Sequence, residues 1–253
     1  MAHEVFAREL AHHEELYSGA AQELFAKPAV RALRKHIVAR VLEATRAAKQ
    51  SSILSLGSGL GDTEILLAPR VGHITGVDLS PKAIQQARED THRAGLDNLE
   101  FVKGSLDHPS LTGRTFDCVI GIFFLHHVPD QNLVSTVAQI RNWLKPGGTF
   151  YGLDPNHYRL SGAVGSLLMP RLMRKYQTPD ERELRPADTV ALFRAAGFEA
   201  HSRIYDFTST PLAGLFPSSP SFYRVVRAAD EVLIRIPLLQ RIGSNFELIA
   251  RML

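Results

Sequence analysis

The chain has 253 residues, 45% of them hydrophobic, 22% charged and 8% aromatic, with 29 basic side chains against 26 acidic ones. That is enough apolar material for a sizeable core, and the mixed signs of charge argue against disorder. No run of consecutive lysines or arginines forms a nucleic-acid footprint, and a single cysteine, Cys118, excludes an intrachain disulfide, a zinc ribbon and a CxxC redox pair.

The opening MAHEVFARELAHHEEL is polar with a helical pattern and does not read as a signal peptide. The longest apolar run, around Cys118–Leu125, falls well short of the ~20 residues of a membrane span. The expectation is a soluble, cytoplasmic protein. Residues 1–50 read as helical, with Val5, Phe6, Leu10 and Leu16 on one face and, after Pro28, Val30, Leu33, Ile37 and Val41 on the next. Ser52–Leu56 is a short apolar strand, followed at once by a glycine-rich turn and a helix. His73–Asp78 is a second strand; Ser80 caps the next helix, Pro81 sits in its first turn and Gly95 ends it. Asn98–Lys103 and Phe116–Phe124 are the third and fourth strands, the latter a continuous apolar run suited to burial on both faces. A helix from Asp130 precedes Lys145-Pro146-Gly147-Gly148 and a fifth strand, Thr149–Leu153. A helix over Pro186–Ala196, strands over Phe198–Phe207 and Phe246–Met252, and an insertion over residues 208–244 complete the chain. Alternating strands and helices imply right-handed crossovers and a mostly parallel, doubly wound α/β sheet. The organisation expected is one domain: residues 1–50 a helical cap, 51–155 a cofactor-binding core, 156–185 and 208–244 helical additions on the substrate side.

The turn Gly57-Ser58-Gly59-Leu60-Gly61-Asp62 decides the ligand class. A dinucleotide fingerprint, GxGxxG, would place a third glycine at position 62; here that position is Asp62, and no GxxxxGK[ST] phosphate loop occurs. A carboxylate at the helix N-terminus competes for the donors that would hold a pyrophosphate, so a phosphate-free cofactor fits better. Asp78, 21 residues after Gly57, can accept hydrogen bonds from two ribose hydroxyls. This feature names a nucleoside without separating NAD from other adenosine cofactors.

ILSLGSGLGD, GVDLSPKAI, FDCVIGIFFLHHV and LKPGGTFYGLDP, in this order and spacing, resemble the class I S-adenosylmethionine-dependent methyltransferases of small-molecule type. The resemblance covers about residues 50–155 and implies a Rossmann-like seven-stranded sheet whose last strand is antiparallel, with S-adenosylmethionine as cofactor. It places Gly57, Ser58 and Gly59 along the methionine and ribose portion, Asp78 on the ribose hydroxyls and Leu79 against the adenine. Ser105 and Leu106 would meet the adenine edge, and Gly121 and Ile122 would pass beneath the methionine. Tyr17 is a candidate lid residue. Two positions depart from the family pattern: Ser55 stands where an aspartate is frequent, and Ser105 where an acidic residue is frequent, with Asp107 two places on.

Methyl transfer from a sulfonium is an in-line displacement that needs alignment at about 3 Å, and a general base only when the acceptor must lose a proton. His126 and His127, at the mouth of the fourth strand, are candidates to orient the acceptor or take that proton; the plainer reading is that His127 bonds its own loop. Adjacent side chains point apart, so the pair does not read as a metal site. Asp154-Pro155 reads as a turn, and His157 is the second base candidate. In the insertion, Phe222, Val225, Val226, Ala229, Leu233 and Ile236 share one helical face and Arg224, Arg227, Asp230, Glu231 and Arg235 the other. The plain expectation packs the apolar face on the domain; the sharper one makes it a pocket wall or a contact with a membrane surface. With Met169, Leu172 and Met173, this suggests a hydrophobic acceptor. The reading is a methyltransferase acting on a small or lipid-like molecule, at oxygen. Its rivals are a non-catalytic cofactor-binding or regulatory protein of the same fold, which Ser55 and Ser105 leave open, and an NAD-dependent oxidoreductase, which Asp62 opposes.

Overall fold

The structure, a computed structural model, describes residues 20–162 and 183–253. Tyr17, Met169, Leu172 and Met173 lie outside these residues. Among the described residues seven strands form one sheet: β1 (Ser52–Leu56), β2 (His73–Asp78), β3 (Leu99–Lys103), β4 (Phe116–Ile122), β5 (Leu144–Pro155), β6 (Phe198–Asp206) and β7 (Asn245–Met252). Their order is β3-β2-β1-β4-β5-β7-β6. The pairings among β1 to β5 are parallel, and β7 runs antiparallel to both of its neighbours, as the family resemblance implies.

Successive strand residues point to opposite faces. Ile53 therefore packs with Ile74, Cys118 and Ile120 on one face, and Leu54 with Val119 and Phe150 on the other. On the first face lie α2 (Pro28–Thr45), which follows α1 (Ala20–Ala26), then α3 (Asp62–Leu67) and α4 (Pro81–Arg93). On the second lie α5 (Asp130–Trp143) and α6 (Pro186–Ala195). Leu33, Ile37 and Val41 on α2 are buried, each stabilising the fold by about 2 kcal/mol of apolar burial. A buried carboxylate fixes α2 to the far strands: Glu247 of β7 accepts from Arg40 Nε at 2.8 Å and from the Tyr151 hydroxyl at 2.8 Å.

Two strands depart from expectation by more than one residue at an end. β4 ends at Ile122 rather than Phe124, because Phe123 takes φ +55° while its amide bonds Leu153 O at 2.7 Å. β5 begins at Leu144, which pairs with Phe116 across an irregularity in register. The strand order reverses between β1 and β4, and ligands of doubly wound sheets bind in the crevice outside the carboxyl ends at such a switch point.

The insertion holds α7 (Ser209–Leu215) and α8 (Pro220–Leu233). The expected orientation of α8 fails in part: Arg227 and Asp230 of the expected polar face are buried beside Tyr223, whereas Phe222, Val225 and Ile236 of the expected apolar face are exposed and Val226 and Leu233 half-buried. The cause is the start of α7, whose first amides need acceptors. Asp230 accepts from the Thr208 amide at 3.1 Å and the Ser209 amide at 2.8 Å, and Asp206 from the Thr210 amide at 2.7 Å. Arg227 donates to Tyr205 O at 2.8 Å and pairs with Glu231. Satisfying these buried groups outweighs hiding three apolar side chains. No helix among the described residues is long and apolar enough to cross a membrane.

Candidate active site at the β1–β4 switch point

The turn after β1 is held open by backbone shape. Gly57, Gly59 and Gly61 have φ of +64°, +52° and +77°. A Cβ on Gly57 would lie 2.8 Å from Phe124 Cδ2, so the left-handed conformation and the close ring both require glycine here. The turn is pinned to β2: the Gly59 amide donates to Asp78 Oδ2 at 2.8 Å, and the Ser80 amide to Asp78 Oδ1 at 2.9 Å. Burial pushes the Asp78 carboxyl above its ordinary range, opposed by the amides of Ser80 and Gly59 and by the nearby His127. Leu79 beside it is exposed.

Three carboxylates gather around this turn. Asp62 opens α3, with its carboxyl raised by burial and pulled back by Arg34. Glu64, one turn into the chain's climb away from the glycines, is buried and accepts the Ser55 hydroxyl at 2.6 Å. Burial pushes Glu64 up to about 7, against the stabilising bond from Ser55. The acid absent at position 55 is thus supplied from position 64. With Asp78, these groups place carboxyls at the turn, which suits a ligand without a phosphate. The residues present therefore fit an adenosine sulfonium.

Glu64 also fixes a pH dependence. Between its ordinary value of 4.5 and about 7, the folded chain holds a proton that the unfolded chain has released, so stability falls as pH rises through that window. Glu64→Gln removes the penalty and is expected to raise the unfolding midpoint at pH 8, by the equivalent of up to about 3 kcal/mol. Calorimetric scans of both proteins at pH 5 and pH 8 check this; parallel pH curves would contradict it.

The other predicted contacts divide. The Ser58 hydroxyl is buried, lies 2.9 Å from where a Cβ on Gly76 would be, and has no hydrogen-bond partner among the described residues. Ser105 is exposed and bonds the Asp107 carboxylate, which draws Asp107 below its ordinary range. Leu106 follows it, half-buried. Gly121 and Ile122 end β4 and are buried, with Phe124 folded over Gly121: a Cβ there would lie 3.3 Å from Phe124 Cβ. Phe124 thus spans the crevice between the ends of β1 and β4, a position the sequence reading did not single out.

The histidines are separated by their partners. His126 is buried; its Nδ1 lies 2.9 Å from Asp154 Oδ1, and its amide donates to the same oxygen at 3.2 Å. Asp154, expected as a turn residue, is the buried end of β5. The His127 ring lies 3.9 Å from that of His126, on the side that bears on Asp78. His157 is exposed, with Nδ1 3.8 Å from Glu183, beyond hydrogen-bond reach. It borders a cleft of about 320 Å³ lined by Leu125, Leu133, Leu184 and Phe193 and equally by charged groups, Asp130, Glu183, Arg185 and Asp188. Asn156 clamps this edge to the chain before β7 through Arg241 O at 3.0 Å and Gly243 O at 2.9 Å. Among the described residues no group of three His, Cys, Asp or Glu side chains is placed to hold a metal ion.

Residues 53–148 match the methyltransferase-domain family. The demethylmenaquinone methyltransferase of Listeria welshimeri is 29% identical over 120 residues, 46% of this chain and 50% of that protein, so the match spans about half the relative's length. The ubiquinone biosynthesis O-methyltransferase of Aromatoleum aromaticum is 26% identical over 168 residues, 65% of this chain and 70% of its own. A solved DhpI complex with S-adenosylhomocysteine covers all of this chain at 17% identity, with 98% of its own chain and a TM-score of 0.64. The glycine turn lies within the matched segment, and the sheet order with its antiparallel final strand gives the chain the same fold as that solved methyltransferase complex: residues 53–148 are those of a methyltransferase domain.

Proposed function

We propose that the chain transfers the methyl group of S-adenosylmethionine to an oxygen of a small, apolar acceptor. The observation that carries the cofactor is the left-handed glycine turn pinned to Asp78 at the β1–β4 switch point, with Asp62 where a dinucleotide fingerprint would have its third glycine. When bound, S-adenosylmethionine supplies an electrophilic methyl group. Asp78 would accept the ribose hydroxyls beside the two amides it already holds. Phe124 would exclude water from the crevice over Gly57 and Gly121.

Oxygen as the acceptor atom is supported by the His126–Asp154 pair. A hydroxyl must lose its proton on methylation, and a carboxylate on Nδ1 leaves Nε2 of the imidazole as the proton acceptor. An apolar acceptor is supported by relatives named for demethylmenaquinone and ubiquinone biosynthesis. Incubation with radiolabelled S-adenosylmethionine and a panel of phenols, quinols, fatty acids and amines tests the reading. Label is expected on phenols or quinols, as an ether; label confined to amines or to ring carbon would overturn it.

A further inference from the structure

Helix α8 shows solvent the wrong face for a helix packed on a core. Phe222, Val225, Val232 and Ile236 recur at helical spacing along one stripe, and the latter part of it is extended by Leu238. Val225 is 70% exposed, Val232 63% and Leu238 88%. Phe216 meets Phe222 edge-on at 5.2 Å, widening the stripe toward the end of α7. An apolar surface of this kind, rimmed by polar residues, marks an interaction site.

The charges around it choose the partner. Arg224, Arg235 and Arg241 are exposed beside the stripe. Of the acids on α8, Glu231 is engaged by Arg227, and Asp230 is buried against α7. Lys27 and Arg31 are exposed at the start of α2, which meets this insertion through the bond from the Ala29 amide to Pro217 O at 2.8 Å. Two copies docked through this face would oppose arginine to arginine. We propose that α8 lies on an anionic phospholipid bilayer, with its valines and Phe222 among the acyl chains and its arginines at the headgroups. The proposal stands independently of the methyl-transfer reading and does not require a bound cofactor.

The experiment is flotation of the full chain with vesicles of phosphatidylcholine alone and of phosphatidylcholine with phosphatidylglycerol. Binding is expected on the anionic vesicles only, weakening as salt is raised. Val225→Asp with Val232→Asp, both at exposed positions, should abolish it while the thermal midpoint stays at the wild-type value. Arg224→Glu should weaken it by about five-fold or more, since each basic residue near the surface contributes on that scale. Absence of vesicle binding at low salt overturns the proposal, as does binding indifferent to both variants. A concentration-dependent dimer in sedimentation that Val225→Asp dissolves would assign the face to a second copy instead.

Discussion

Replacing Asp78 with alanine is expected to weaken S-adenosylhomocysteine binding by about 100-fold or more. Two charge-assisted hydrogen bonds from ribose hydroxyls, at roughly 1.5 kcal/mol each or more, account for that factor. The carboxylate also holds the Gly59 and Ser80 amides, so part of the loss is disorder of the turn. Asp78→Asn separates the two effects: it keeps one oxygen for an amide and should fall between wild type and alanine. Calorimetric titration of both variants, with melting curves to show that they fold, gives the result. Unchanged affinity in Asp78→Ala would remove Asp78 from the ligand.

Replacing His126 with alanine is expected to lower kcat by about 100-fold or more, within the usual contribution of a positioned general base, while cofactor affinity stays within about two-fold. Asp154→Asn should lower kcat in the same direction, because the imidazole would lose the carboxylate that orients it. His127→Ala should act differently, on cofactor affinity, since His127 bears on Asp78. The discriminating measurement is kcat against pH. Loss of the acidic limb in the His126→Gln variant supports proton transfer; a uniform reduction at every pH assigns His126 to the scaffold.

The strands were legible because β-structure writes itself in short apolar runs bounded by turns. β1 and β2 have the boundaries that the sequence suggested, and the antiparallel β7 followed from the family resemblance. The glycine turn and Asp78 were equally plain, since left-handed backbone and a carboxylate at a strand end leave fixed spacings. What escaped is tertiary. Ser55 looked like the loss of an acid, and only folding shows Glu64, nine positions on, returning a carboxylate to the same place. Asp154 and His126 are 28 positions apart and meet through the pairing of β4 with β5. Helix α8 has a clear apolar face in sequence, but periodicity does not say which face turns inward. That was decided by the buried amides at the start of α7, which drew Asp230 toward them.

Titration of the wild-type chain with S-adenosylhomocysteine and, separately, with NADH tests the acidic turn most directly. One-to-one binding of S-adenosylhomocysteine with no heat from NADH is the expected result. Binding of the pyrophosphate cofactor, with none of the thioether, would contradict it.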